Sequence, residues 1–496
     1  MPQQSSNSLS TLETLQEAAG HGNLLDMIVT EGKMARGAEQ MQGAKDMLSE
    51  FISQVVGQTA ISKDAVSFIN TRIAQIDTLL SDQINEILHN GEFQKLEATW
   101  RGMKQLVYNT ETGQGMKVRV LNASKKELLN DLERASEFDQ SALFKQVYEA
   151  EFGQFGGAPY TFLVADYEFG RGPQDITLLE KLSNVAAAAH APVLTAASPL
   201  MFDMDSYQDL NQPRDLAKIF ESAEMAKWRS FRESEDSQYV VLTLPHTLMR
   251  LPYGPNTVPV DGFNFKEDVD GKDHSKYLWG NAAWSLAQRV TNACAVYGWP
   301  AAIRGVEGGG IVEGLPTHTF LTDDGDNMMK VPTEVAIPDR REKELDDLGF
   351  LPLVHCKGTD YAAFFGSATS KKPKLYDNDA ANANSRISAQ LPYVMVTSRF
   401  AHYLKAIMRD KIGSFASASN VSSFLNNWIM QYTMGLDDAG QEVKASYPLR
   451  DARVDVFEVP GKPGSYKASV FLRPHFQLNE LTASMRLVAE LPPPKG

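Results

Sequence analysis

At 496 residues, 43% hydrophobic and 22% charged, the chain has the make-up of a globular protein of about two to four domains, and general disorder is excluded. Sixty-two acidic residues against 48 basic ones leave a net charge of −14, which argues against nucleic acid or an anionic membrane surface as the partner. No stretch approaches the roughly 20 apolar residues of a membrane span, and the first residues lack a signal peptide's basic and apolar regions. With two cysteines and no CxxC spacing, a reducing compartment and a cytoplasmic location are expected, both thiols being free and buried.

Residues 1–60 hold 3 basic and 7 acidic side chains among Gln, Ser and Gly, and are expected to form a mobile arm. Within it, Leu24, Leu25, Ile28 and Val29 share one face of a short helix capped by Asn23. Such a turn suits a docking peptide or a fold-back onto its own domain. Next, Val66, Ile69, Ile73, Ile76, Leu80, Ile84 and Ile87 recur by threes and fours up to Asn90 and Gly91, predicting a long amphipathic helix. Phe93, Leu96, Trp100, Met103 and Val107 continue the rhythm in a second helix. The two read as a helical hairpin over 61–110, its seam either internal or shared with another chain.

From 111 to 435 strands and helices alternate, so a mixed α/β core in two subdomains is expected. Strands are predicted at 116–121, 160–165, 192–196, 238–244 and 351–355. A capping box, Ser124 to Glu127, opens a helix; others are predicted at 177–189, 277–297, 385–411 and 420–434. The one at 385–411 would be about 40 Å long. Residues 436–496 read as a linker and strands. Residues 453–459 and 466–473 flank a turn at 461–464, and Met485, Leu487, Ala489 and Leu491 alternate as a third strand. A terminal strand suits pairing with another subunit or closing a local sheet.

No catalytic, cofactor or metal constellation stands out. The stretch RGVEGGGIVEG at 304–314 lacks the Gly-Lys-Ser/Thr of a phosphate loop and the spacing of GxGxxG, so its glycines point to a tight turn. Nine scattered histidines form no HExxH or HxH pair, and no GxSxG elbow is present. The acidic clusters Glu267, Asp268, Asp270, Asp273 and Asp323, Asp324, Asp326 lack calcium-loop spacing and are expected in solvated loops.

Longer runs are more specific. LEATWRGMKQLV at 96–107, PLMFDM at 199–204, WRSFRESEDSQYV at 228–240, LPYGPNT at 251–257, WGNAAW at 279–284, GWPAAIRG at 298–305 and LRPHFQL at 472–478 resemble the large sheath subunit of type VI secretion systems, the TssC/VipB family. The resemblance spans roughly residues 60–496. It implies a structural, non-enzymatic subunit with a core resembling contractile tail-sheath domains. That subunit pairs with a small TssB/VipA-type subunit and with other copies of itself in a helical tube. The tube encloses an Hcp inner tube, meets a baseplate, and is dismantled by a ClpV-type AAA+ ATPase; neither nucleic acid nor membrane insertion is implied.

Carried onto this sequence, the ATPase-docking helix falls at Leu24, Leu25, Asp26 and Ile28, within NLLDMIVTEGKMA at 23–35. The 61–110 hairpin would pack with the small subunit through Val66, Ile69, Ile73, Ile76, Leu80 and Trp100. Strands at Val470, Leu472, Met485 and Leu487 would be exchanged with neighbouring protomers, with hinges at 435–446 and 461–464. Competing readings are an α/β enzyme with an unrecognised site in 150–435 and a sheath of a phage-like particle; a recycling helix speaks against the latter.

Overall fold

The computed structural model describes residues 29–30, 38–56, 65–113, 115–411, 418–436, 439–458, 460 and 466–475. Two compact units divide the chain between residues 83 and 84, with 261–265 belonging to the first. In the first unit, Val29 is helical and fully buried. The stretch expected to be an arm carries the helix α1 (Ala38–Val56), in which Ala44 is buried. Helix α2 (Ala65–Leu88) bears out the three-and-four spacing.

In the second unit, α3 (Gly91–Tyr108) starts at Asn90, whose side chain accepts from the amides of Glu92 and Phe93. Helix α4 (Lys125–Arg134) opens on the predicted capping box. The Glu127 amide donates to Ser124 Oγ at 3.2 Å and the Ser124 amide to Glu127 Oε2 at 2.8 Å. A π-helix, Lys145–Gly153, precedes β1 (Leu163–Phe169), α5 (Pro173–Ala189), β2 (Val193–Ala197), α6 (Ala226–Glu233) and β3 (Val240–Leu244). Helix α7 (Ala283–Tyr297), β4 (Ile311–Val312), the hairpin β5 (His318–Leu321) and β6 (Asn327–Lys330), α8 (Asp339–Asp347), β7 (Leu351–His355) and β8 (Ala362–Phe364) follow.

Among the described residues these strands form a six-stranded sheet in the order β1-β2-β3-β7-β8-β4. It is parallel from β1 to β7, with Leu194 opposite Val241 and Thr243 opposite Leu351, and antiparallel beyond. Its central strands β2 and β3 are buried along their whole length and apolar apart from the buried Thr195 and Thr243, because both faces are covered. Val240, Leu242 and Leu244 join one core with α5, Trp228 and Phe350; Val241, Leu351 and Leu353 join another with α7 and Leu106.

A third core gathers α10 (Leu391–Asp410), α11 (Ala418–Ile429) and the antiparallel ribbon of β9 (Leu449–Glu458) and β10 (Tyr466–Pro474), around Trp299 stacked on Phe400 at 4.2 Å. Helix α9 (Asp379–Ser388) comes before α10.

Five expectations differ from the structure. Residues 116–121 form no strand, and Val120 and Leu121 are exposed: alternation favours an extended chain, but a ladder needs a neighbour. The single helix expected over 385–411 is two, because Pro392 in the first turn of α10 cannot continue α9. Part of the expected hinge 435–446 is a short helix, Gln441–Ser446, with Ala445 buried. Cys356 is exposed because it lies just past β7. Glu267 is buried rather than solvated, as Arg250 grips both its oxygens at 2.6 and 3.0 Å. The glycines of 304–314 do make a tight turn, with Gly305 and Gly309 at φ of +72° and +84°.

Candidate assembly surfaces

Helix α3 meets the core through small residues. Ala98, Gly102 and Leu106, four apart, are buried, and a Cβ on Gly102 would lie 2.3 Å from Trp284 Cδ1 on α7. Polar contacts lock the same face. Thr99 Oγ1 donates to Asp166 Oδ2 on β1 at 2.6 Å, and Thr110 Oγ1 to Thr291 Oγ1 at 3.0 Å. Arg101 and Arg250 both donate to Glu97 Oε1, at 2.7 and 2.8 Å. Burial pushes the Asp166 carboxyl above its ordinary range.

The consequence is that the larger side chains face outward. Phe93, Leu96, Trp100 and Val107 are exposed, Trp100 to 61%. Along α2, Ile69, Ile73, Ile76 and Leu80 are 41 to 50% exposed; Val66 lies in α2 with its side chain outside the described set. Two helices therefore present apolar stripes to solvent, well beyond the scattered apolar side chains of an ordinary surface.

The ribbon offers a second surface. Ala468 and Leu472 pack on the third core, whereas Val470, Phe471 and Phe457 stay exposed. Val470 and Leu472 thus sit together on β10, while Met485 and Leu487, like Leu24, Leu25, Asp26 and Ile28, lie outside the described residues.

Ionisable groups cluster inside the second unit without catalytic geometry. His246 lies between Glu334 and Glu168, its Nε2 2.8 Å from Glu168 Oε1, and His274 Nε2 is 3.2 Å from the other Glu334 oxygen. Burial lowers the His246 pKa, but the two carboxylates outweigh it and raise it to about 10. Sequence reading missed this network because its members are scattered over nearly 170 positions, from Glu168 to Glu334.

Among the described residues no group of His, Cys, Asp or Glu is arranged to hold a metal ion, and no helix is long and apolar enough to cross a membrane. Burial pushes the Cys294 thiol up to about 11, which makes it a poor nucleophile. A cleft of about 560 Å³ beside α8 holds Arg341, whose Nη atoms donate to the Arg214 and Gln212 carbonyls and to Glu344.

The exposed apolar stripes of α2 and α3 and the exposed side chains of the ribbon are candidate assembly surfaces, and the family comparison gives them a context. Residues 70–371 match the family described as the EvpB/VC_A0108 tail sheath N-terminal domain, and residues 380–491 its gpW/gp25-like domain. The chain belongs to the TssC/VipB family of type VI secretion sheath proteins. It is 48% identical over 499 aligned positions, covering 100% of both chains, to the type VI secretion system sheath protein TssC1 of Pseudomonas aeruginosa. A chain in the baseplate of the anti-feeding prophage aligns with 75% of this chain and 83% of its own at 10% identity; the TM-score of 0.37 carries no argument. Members of the TssC/VipB family are structural sheath proteins, and the mixed α/β architecture anticipated for a sheath subunit is present.

Proposed function

We propose that this sheath protein pairs with a small TssB/VipA-type subunit, that the heterodimers stack into a cytoplasmic helical tube around an Hcp inner tube on a baseplate, and that the tube contracts to drive the inner tube outward. A ClpV-type AAA+ ATPase then dismantles it through Leu24, Leu25, Asp26 and Ile28. The observation that carries the pairing is the outward apolar stripe of Ile69, Ile73, Ile76 and Leu80 on α2, which a second chain would bury; Trp100, exposed on α3 of the other unit, is a further anchor. A helix laid along it would meet anchors at three-and-four spacing. Strands at Val470, Leu472, Met485 and Leu487 exchange between protomers and keep rings linked while they move. Contraction requires no nucleotide site here: an extended lattice holding unmade contacts converts cooperatively to a lower state.

The test is co-expression with the adjacent small subunit and negative-stain electron microscopy. Hollow tubules are expected. Replacing Ile73→Asp and Ile76→Asp together should weaken capture of the small subunit on the order of 100-fold or more, since each buried isoleucine contributes about 1.5–3 kcal/mol. Particles of fixed size from the unmodified pair, or undiminished capture by the double variant, would count against the reading.

A further inference from the structure

Residues 116–121 alternate as a strand does, yet they lie in no ladder. A strand needs a chain held in place and a second chain to bond, and here only the first is present. The Gly113 amide donates to the Met116 carbonyl at 2.9 Å, closing the turn that enters the segment. Arg119 is paired with Glu151, Tyr167 Oη donates to the Ala123 carbonyl, and Lys125 Nζ donates to the Glu168 carbonyl at 2.7 Å. Among the described residues no peptide group from Lys117 to Asn122 bonds to another peptide group. The segment is thus moored at both ends and in the middle, with its amides and carbonyls left to water.

Its side chains are arranged for a partner as well. Arg119 reaches back to its own chain, at Glu151 and the Tyr160 hydroxyl, while Val118, Val120 and Leu121 stay outside, at 36, 70 and 52% exposure. The charge is local and one-sided. In a chain of net charge −14, the stretch from Thr112 to Lys126 carries Lys117, Arg119, Lys125 and Lys126 and no acidic residue. Arg119 and Lys125 have carboxylate partners within the chain, Glu151 and Asp175, whereas Lys117 and Lys126 are exposed. The segment also continues the surface of α3. Thr99 of α3 bonds Asp166, and the Ala123 carbonyl bonds Tyr167, so helix and segment are tied to consecutive residues of β1.

We propose that residues 116–121 are an acceptor strand for the small subunit. An extended segment of that subunit, alternating apolar and acidic side chains, pairs with it, covers Val118 and Val120, and sets carboxylates against Lys117 and Lys126. Main-chain bonds supply the attraction, and the pattern of side chains fixes the register. This rests on the pairing proposed above and goes further, naming a second contact of different chemistry from the apolar stripe of α2. It also accounts for an alternation that has no partner among the described residues of this chain.

Residue-resolved hydrogen exchange on the co-expressed heterodimer is the direct test. Every second amide from Lys117 to Leu121 should exchange about tenfold or more slowly than its neighbours, because one edge of a strand faces the partner. Val118→Asp with Val120→Asp changes only exposed side chains, so circular dichroism should stay unchanged while capture of the small subunit falls by about tenfold or more. Lys117→Glu with Lys126→Glu should weaken capture mainly at low salt. Free exchange at all five amides, or undiminished capture by the folded valine variant, would overturn the assignment. Equal protection in the chain without the small subunit would also overturn it, by making a segment of this chain the occupant. The α2 variant Ile73→Asp with Ile76→Asp separates the two claims: undiminished capture there counts against the pairing itself. Capture lost there but kept in Val118→Asp with Val120→Asp sinks only the acceptor strand.

Discussion

At the residue scale, the most demanding feature is the imidazolium of His246 held between Glu334 and Glu168. Its raised pKa means that the stabilisation is complete below the ordinary histidine value near 6.5 and is lost as pH climbs through about 10. Substituting His246→Ala leaves Glu334 buried without its main partner; a loss of about 3–5 kcal/mol is expected, read as a drop in thermal midpoint at pH 7. Glu342 behaves oppositely. Its Oε1 and Asp346 Oδ1 converge over Gly366, where a Cβ would lie 3.2 and 2.4 Å from them. Burial first, and the Asp346 charge second, raise the Glu342 pKa to about 7, with Lys343 and Arg304 opposing and Asp339 adding to the rise. A carboxyl raised in this way destabilises the fold once ionised, so stability falls as pH rises from about 4.5 through 7. Glu342→Gln should flatten that decline, gaining on the order of 1 kcal/mol at pH 8 after allowance for partial solvent screening, and nothing at pH 4; denaturant melts at the two pH values check it.

At the element scale, α3 shows how a helix can be recognised and its buried face misjudged. Its position was legible from the spacing of Phe93, Leu96, Trp100, Met103 and Val107, whereas Asn90, read as the close of the preceding helix, is its N-cap. Its packing face was not: the contact with α7 depends on closeness, which selects Ala98 and Gly102, and small residues leave little mark on a hydrophobic pattern. Gly102→Leu should force α3 off Trp284 and destabilise the protein by about 1–3 kcal/mol or more. Accelerated hydrogen exchange along 98–106, with the sheet still protected, is the expected signature. The strands were easier. β3 and β7 lie in apolar runs that fit a doubly covered sheet, while 116–121 carries an alternation that no strand among the described residues completes.

At the scale of the whole molecule, most interaction surfaces are defined by what the single chain leaves unburied. In the proposed function the exposed stripes of α2 and α3 and the ribbon serve assembly, whereas the residues of the proposed ATPase-docking helix serve recycling. Replacing Leu24, Leu25 and Ile28 with Ala should leave tubule formation intact but slow ATPase-driven disassembly by about tenfold or more, measured as the turbidity decay of contracted sheaths with a ClpV-type ATPase. Equal loss of assembly and disassembly would show that this segment is structural.

The sequence by itself determined the family, through long runs kept in order over most of the chain, and the succession of helices and strands, through local periodicity and caps such as Ser124 with Glu127. Only the tertiary structure decided which face of α3 is buried, that Glu267 is paired inside rather than solvated, and that Asn426 holds both backbone polar groups of Val454. Local periodicity is set by neighbours three or four positions apart. These last features depend on groups that meet across 17 to more than 180 positions of chain, a distance over which a single sequence carries no spacing signal.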